Sequence, residues 1–140
     1  MSKKLAFYML FFICLGMATE VFFTAISDFI NGTGSLRLMG HTYVWMAFIY
    51  ALIPVLMMNI YSKVAHLSLS IRLLIFVAIV YLIEFSAGFL LDKLTGQCPW
   101  EYTTGWHVMG YIRLDYALFW AVFGFILERL YLFLERHIGL

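Results

Sequence analysis

The sequence predicts an all-α polytopic membrane protein built from four transmembrane helices. Three observations carry this. The 140 residues are 64% hydrophobic and 12% charged, and the mean hydropathy is +0.93. An ordinary soluble domain is about half apolar and about a quarter charged, and a soluble core cannot hide this excess. The apolar residues also fall into four runs, each near the roughly 20 residues that a spanning helix needs. The length predicts one domain.

The first run, 5–27, follows Met1-Ser-Lys-Lys. A signal peptide would begin similarly, but the run is too long and no small-x-small cleavage site follows it, so it reads as a retained helix. The second run, 43–61, contains Pro54, which predicts a kink that neighbouring groups re-satisfy. The third covers 71–91 and the fourth 111–133. The connections are 28–42, with the turn-rich Asn31-Gly-Thr-Gly-Ser35; the short polar 62–70; and 92–110, with Cys98-Pro-Trp-Glu-Tyr102.

Basic residues set the orientation. Lys3, Lys4, Lys63, Arg72, Arg129 and Arg136 fall on one side, against Arg37, Lys93 and Arg113 on the other. The excess places both termini in the cytoplasm. Glu20, Asp28, Glu84, Asp92, Glu101 and Asp115 then occupy the outer half, with Glu128 and Glu135 at the inner end. Trp45, Trp100 and Trp106 fall near the outer boundary, as an interfacial aromatic belt would.

Helices one and three share a pattern. Glu20, Asp28 and Gly32 recur as Glu84, Asp92 and Gly96. This reads either as two parallel-repeat helical hairpins or as chance likeness between apolar segments; helices two and four do not align at the same offset. Each glutamate stands about 12 Å along its helix from the aspartate that ends it.

Carboxylates within the hydrocarbon are costly, and face the bundle interior, find a partner or protonate. Glu20, Thr24, Ser27 and Asp28 form one helical stripe, and Tyr81, Glu84, Gly88 and Asp92 another. Arg113, at the top of helix four, is the expected counter-charge for Asp28 and Asp92. The functional reading is a polar cavity lined by Glu20, Thr24, Asp28, Tyr81, Glu84, Asp92 and Arg113. The structural reading makes the same groups interhelical hydrogen bonds. Glu128 with Arg129 reads as structural.

His41 and His107 are weak metal candidates whose spacing matches no standard ligand set, so no metal and no cofactor are expected. Cys14 and Cys98 are too few for a disulfide framework. The net charge of +1, without a basic cluster, gives nucleic acid no electrostatic footprint.

Four stretches carry a family resemblance: Thr19-Glu-Val-Phe-Phe-Thr-Ala25, Glu84-Phe-Ser-Ala-Gly88, Cys98-Pro-Trp-Glu-Tyr102, and Met109-Gly-Tyr-Ile-Arg-Leu-Asp-Tyr116 followed by Trp120. In these, and over nearly the whole chain, the sequence resembles the transmembrane protein 229 family and the related bacterial proteins labelled ABC-transporter type IV. The resemblance implies a compact four-helix membrane domain. It marks Glu20, Glu84, Gly88, Cys98, Pro99, Trp100, Tyr102, Gly110 and Trp120 as signature positions without giving them chemistry. No nucleotide-binding motif is present, so an importer would need a separate ATPase subunit.

The loop motif has its own physics. Pro99 fixes a turn after Cys98. Trp100 and Tyr102 can seat at headgroup level, with Glu101 directed to water or to Arg113, so the loop reads as a lid or as an interfacial anchor. Three function classes follow. The first is a transporter, channel or transporter subunit for an ion or small solute; four helices are few for a complete pathway, which implies a homo-oligomer or a larger membrane complex. The second is a scaffold or lipid-binding subunit. The third, ranked last, is an enzyme acting on a lipid, because no nucleophile constellation is present.

Overall fold

The computed structural model describes residues 3–138. Four α-helices dominate: α1 (Lys3–Ile30), α2 (Trp45–Val64), α3 (Leu69–Thr95) and α4 (Ala117–His137). A two-residue antiparallel pair, β1 (His107–Val108) with β2 (Ile112–Arg113), and a 3-10 turn over Leu114–Tyr116 precede α4. All four helices are long and apolar enough to cross a membrane. They support an integral, multi-pass membrane protein of the all-α class. Only 17% of the most apolar window of α1 is buried, so most of that apolar surface needs a lipid solvent.

The helix bounds differ from the sequence expectation mainly at α4. The apolar run from Tyr111 does not begin the helix. Gly110 (φ +78°) and Met109 (φ +52°) adopt left-handed backbone, and Tyr102 N–H donates to the Gly110 carbonyl at 2.9 Å. The chain therefore makes a hairpin at 107–113 and a 3-10 turn before α4 starts. α1 and α3 run longer than expected, 28 and 27 residues, because each continues through its polar end to a left-handed glycine, Gly32 (φ +74°) or Gly96 (φ +75°). Glycine takes this conformation without a Cβ penalty and stops the helix. At α3 the cap is closed by Gly96 N–H donating to the Asp92 carbonyl at 2.8 Å. At α1, Thr33 and Gly34 N–H groups both donate to the Asp28 carbonyl, at 3.0 and 2.8 Å.

The described residues form two compact units, divided within α2 after Leu56. Pro54 lies inside α2, where its missing amide hydrogen leaves the helix ladder one bond short.

The first unit holds α1 and the start of α2. Its contact is made by a small residue: a Cβ at Gly16 would run into the Tyr50 ring. Tyr50 and Gly16 are both buried, and the missing side chain is what lets the ring reach the α1 backbone. The buried face of α2 is Met46, Tyr50, Ala51 and Pro54, an i, i+4, i+5, i+8 stripe.

The second unit holds the end of α2, α3, the hairpin and α4. α3 and α4 pack antiparallel. Phe76 faces Gly124, where a Cβ would strike the ring. One turn on, the Arg72 guanidinium grips Glu128 with two hydrogen bonds of 2.9 and 2.8 Å, and its third arm reaches the Leu67 carbonyl at 2.7 Å. Both side chains are nearly buried. A bidentate guanidinium–carboxylate pair satisfies both charges, which is what makes burial of the ions tolerable. Arg129, the partner expected from sequence, stands only at 4.0 Å from Glu128; its guanidinium lies over the Phe125 ring.

Along the chain a long helix is twice followed by a shorter one. α1 is about 42 Å long and α2 about 30 Å; α3 is about 40 Å and α4 about 31 Å. The connection folds back along the excess of the longer helix, and the polar sites form there.

Candidate functional site

In the first unit, residues 40–42 return along α1 rather than leaving it. Gly40 abuts the Val21 backbone so closely that a Cβ would meet the carbonyl. The Thr24 hydroxyl accepts the His41 N–H at 2.9 Å and donates to the His41 carbonyl at 2.9 Å, with the Val21 carbonyl also in reach at 3.1 Å. Glu20 then receives two hydroxyl donors on one oxygen, Thr42 at 2.9 Å and Tyr50 at 3.2 Å. His41 Nδ1 stands 3.8 Å from Asp28. The Glu20–Thr24–Asp28 stripe legible in the sequence is thus the seam on which the connection is sewn to α1. Thr42, Tyr50 and Gly40 are the partners that sequence reasoning missed, since nothing in a polar loop announces which residue folds back.

In the second unit, Glu84 and Gly88 are buried on α3. A Cβ at Gly88 would sit 3.2 Å from Tyr111 Cβ and 3.3 Å from Cys98 Sγ, so the small residue makes room for both. The Tyr111 ring packs edge-on against Phe85 and Phe89, and its hydroxyl donates to Asp92 Oδ2 at 2.8 Å. Trp100 closes the other side. It is 8% exposed, and its indole N–H donates to the Tyr111 carbonyl at 3.2 Å. Trp100 is therefore a buried strut of the loop, whereas Trp106, 77% exposed, and Trp45, 46% exposed, face outward. Tyr102 is held by its own N–H on Gly110 and packs edge-on against Tyr116.

Arg113 is not the counter-charge of Asp92. Its guanidinium makes a three-bond clasp on Asp115, the shortest 2.8 Å, donates to the Tyr116 hydroxyl at 2.9 Å and lies over the Tyr116 ring. The hydrogen bonds to Asp115 are the main reason its pKa is held above the ordinary arginine value. Asp115, two residues away, was not among the expected partners; it is favoured because the 3-10 turn brings the neighbouring side chains together. Tyr81 reaches the same corner, its hydroxyl 3.1 Å from the carbonyls of both Arg113 and Leu114.

Between the end of α3 and the loop lies a cleft of about 430 Å³, lined by Asp92, Gly96, Gln97, Cys98, Glu101, Met109 and Tyr111. Two carboxylates face it. The basic groups nearest in sequence are engaged elsewhere: Arg113 on Asp115, and the Lys93 ammonium over the Phe89 ring. Burial pushes the Cys98 thiol pKa up; the Trp100 N–H opposes this, and Glu101, Asp92 and Glu84 reinforce it. Donation to Asp92, then burial, pushes the Tyr111 hydroxyl pKa up as well. At neutral pH the cleft therefore presents a thiol and a phenol, not their anions, beside the carboxyl groups. Pro99 shapes the turn beneath Trp100 and does not line the cleft.

Among the described residues, no three histidine, cysteine, aspartate or glutamate side chains converge to hold a metal ion. His107 lies on β1, paired across the hairpin with Arg113. No family model matches the chain, and no solved structure matches it.

Proposed function

We propose that this chain is the solute-binding part of a small membrane transporter or channel, and that the cleft at the end of α3 takes a small solute or headgroup bearing an ammonium group. The observation that carries the reading is the lining. Asp92 and Glu101 face one cavity, no lysine or arginine shares it, and the aromatic Tyr111 forms its wall. Carboxylates beside an aromatic face suit a compact cation that can donate hydrogen bonds. The volume falls in the range of small-molecule sites. The lysine and arginine distribution supports cytoplasmic termini and a cleft open to the outer side. The motif resemblance to the transmembrane protein 229 family supports the same four-helix membrane frame, and the small number of helices supports assembly with further copies or with a larger membrane complex. Glu20 and Glu84, in this reading, lie in the outer half of the bilayer.

The test is uptake of labelled methylammonium into vesicles carrying the purified chain. Saturable uptake that Asp92→Asn removes, in a protein that still melts cooperatively, supports the reading. Uptake equal to that of empty vesicles counts against transport by this chain alone.

A second reading is favoured by a different observation. Glu20, Asp92 and Glu128 each accept hydrogen bonds inside their own unit, as packing groups of a scaffold would. It expects Glu20→Gln and Asp92→Asn to alter stability while leaving ammonium binding undetectable in wild type and variant alike.

A further inference from the structure

The α1–α2 connection carries large apolar side chains that no part of its own fold covers. Leu36 is 85% exposed, Met39 75%, Leu38 53% and Val44 76%. The pattern is continuous with the helix ends on both sides, where Ile30 is 75% exposed and Phe48 65%. Such a run in water would be an aggregation hazard. One cation, Arg37, stands exposed among these residues.

Geometry gives the depth of this segment. Residues 40–42 are fastened to Glu20, Val21 and Thr24. Val21 and Thr24 lie nine and six residues before Ile30, the end of α1, so the connection returns about 9–14 Å along the helix before α2 begins. α1 exceeds the roughly 20 residues that the hydrocarbon requires, whereas α2, with 20 residues, just meets it. If α2 starts at the hydrocarbon boundary, the last two turns of α1 stand clear of it. The connection then comes down from those turns to the level of Trp45.

We infer that residues 36–45 lie on the bilayer surface as an interfacial anchor, with Leu36, Leu38, Met39 and Val44 in the headgroup–acyl boundary and Arg37 among lipid phosphates. Trp45, 46% exposed at the start of α2, sits at the level where amphipathic rings are favoured. Arginine next to aliphatic side chains suits the same zone, its stem in the apolar layer and its head on phosphate. The anchor sets how far α1 projects from the membrane. It rests on the membrane reading of the helices and not on the ammonium cleft.

The experiment places the photoreactive residue p-benzoylphenylalanine at Met39, at Leu36 and, as control, at Thr33 beyond the end of α1. Each full-length variant is reconstituted in phosphatidylcholine–phosphatidylglycerol vesicles, irradiated and analysed by mass spectrometry. The expected result is lipid adducts at Met39 and Leu36 at least several-fold above Thr33. Equal adducts at all three positions, or none at any, would overturn the inference. So would chain-to-chain adducts at Met39 in place of lipid, since a second copy would then cover the segment.

Discussion

The Tyr111 hydroxyl donates to Asp92 at 2.8 Å, and this one bond ties the hairpin before α4 to the last turn of α3. Its neighbours are arranged around it. Trp100 holds the Tyr111 carbonyl, Gly88 makes room for the tyrosine Cβ, and Asp92 and Tyr111 both line the cleft. The loop motif is therefore architecture first: it fixes the wall and the carboxylate that line the cleft.

Cys98 is expected to be a slow nucleophile. Its pKa is raised chiefly by burial, so little thiolate is present at pH 7.5. Maleimide labelling of Cys98 should be on the order of tenfold slower than that of a cysteine placed at exposed Thr104, and should accelerate as pH rises through and beyond the ordinary thiol value of about 8.5. The sign for stability follows the same shift. The folded loop holds the proton more tightly than the unfolded chain, so this contribution is complete below about pH 8.5 and is lost as pH climbs through the folded value. Melting temperature measured against pH, in wild type and in Cys98→Ala, checks it: the alkaline decline should be shallower in the variant.

Two glycines should cost stability on substitution for different reasons. Gly124 lies under the Phe76 ring, and Gly124→Leu should destabilise the α3–α4 pair by about 1–3 kcal/mol through overpacking. Gly32 has open space around it and a left-handed φ, so Gly32→Ala should cost only about 1 kcal/mol of backbone strain. Chemical denaturation in mild detergent distinguishes them, and equal losses would show that packing at Gly124 is looser than described.

The Arg72–Glu128 pair should be strongly non-additive. Glu128→Met leaves a nearly buried guanidinium without its carboxylate, and Arg72→Met leaves a buried carboxylate alone. Each single change should lower the melting temperature by more than the double replacement Arg72→Met with Glu128→Met, which removes both charges. A double-mutant cycle on thermal unfolding reads this directly. Additive losses would mean that the two groups are solvated independently.

The number, order and apolar character of the helices were legible because they are properties of composition and run length. Glu20, Asp28, Glu84 and Asp92 also stand out by spacing alone, and Glu101 by its place in the Cys98–Tyr102 motif. Their partners do not. Thr42, Tyr50 and Tyr111 reach the acids only because the connections fold back along α1 and α3, and that return is decided by tertiary fit at Gly40 and Gly88. Arg113 was assigned to the nearest expected acid by depth, yet a local 3-10 turn delivers Asp115 to it first. The start of α4 was misplaced for a related reason. Tyr111 and Ile112 read as helix in an apolar run, but left-handed Met109 and Gly110 turn the chain into a hairpin.

In the proposed reading, Asp92 and Glu101 form a cation site. The measurement is equilibrium binding of methylammonium to the chain in lipid nanodiscs, for wild type, Asp92→Asn, Glu101→Gln and Glu20→Gln, a position that does not line the cleft. The expected result is saturable binding in wild type, weakened about tenfold by removal of either cleft carboxylate, as loss of one charge-assisted contact implies, and unchanged in Glu20→Gln. Binding that is absent in wild type, or that survives intact in Asp92→Asn and Glu101→Gln, would contradict the claim.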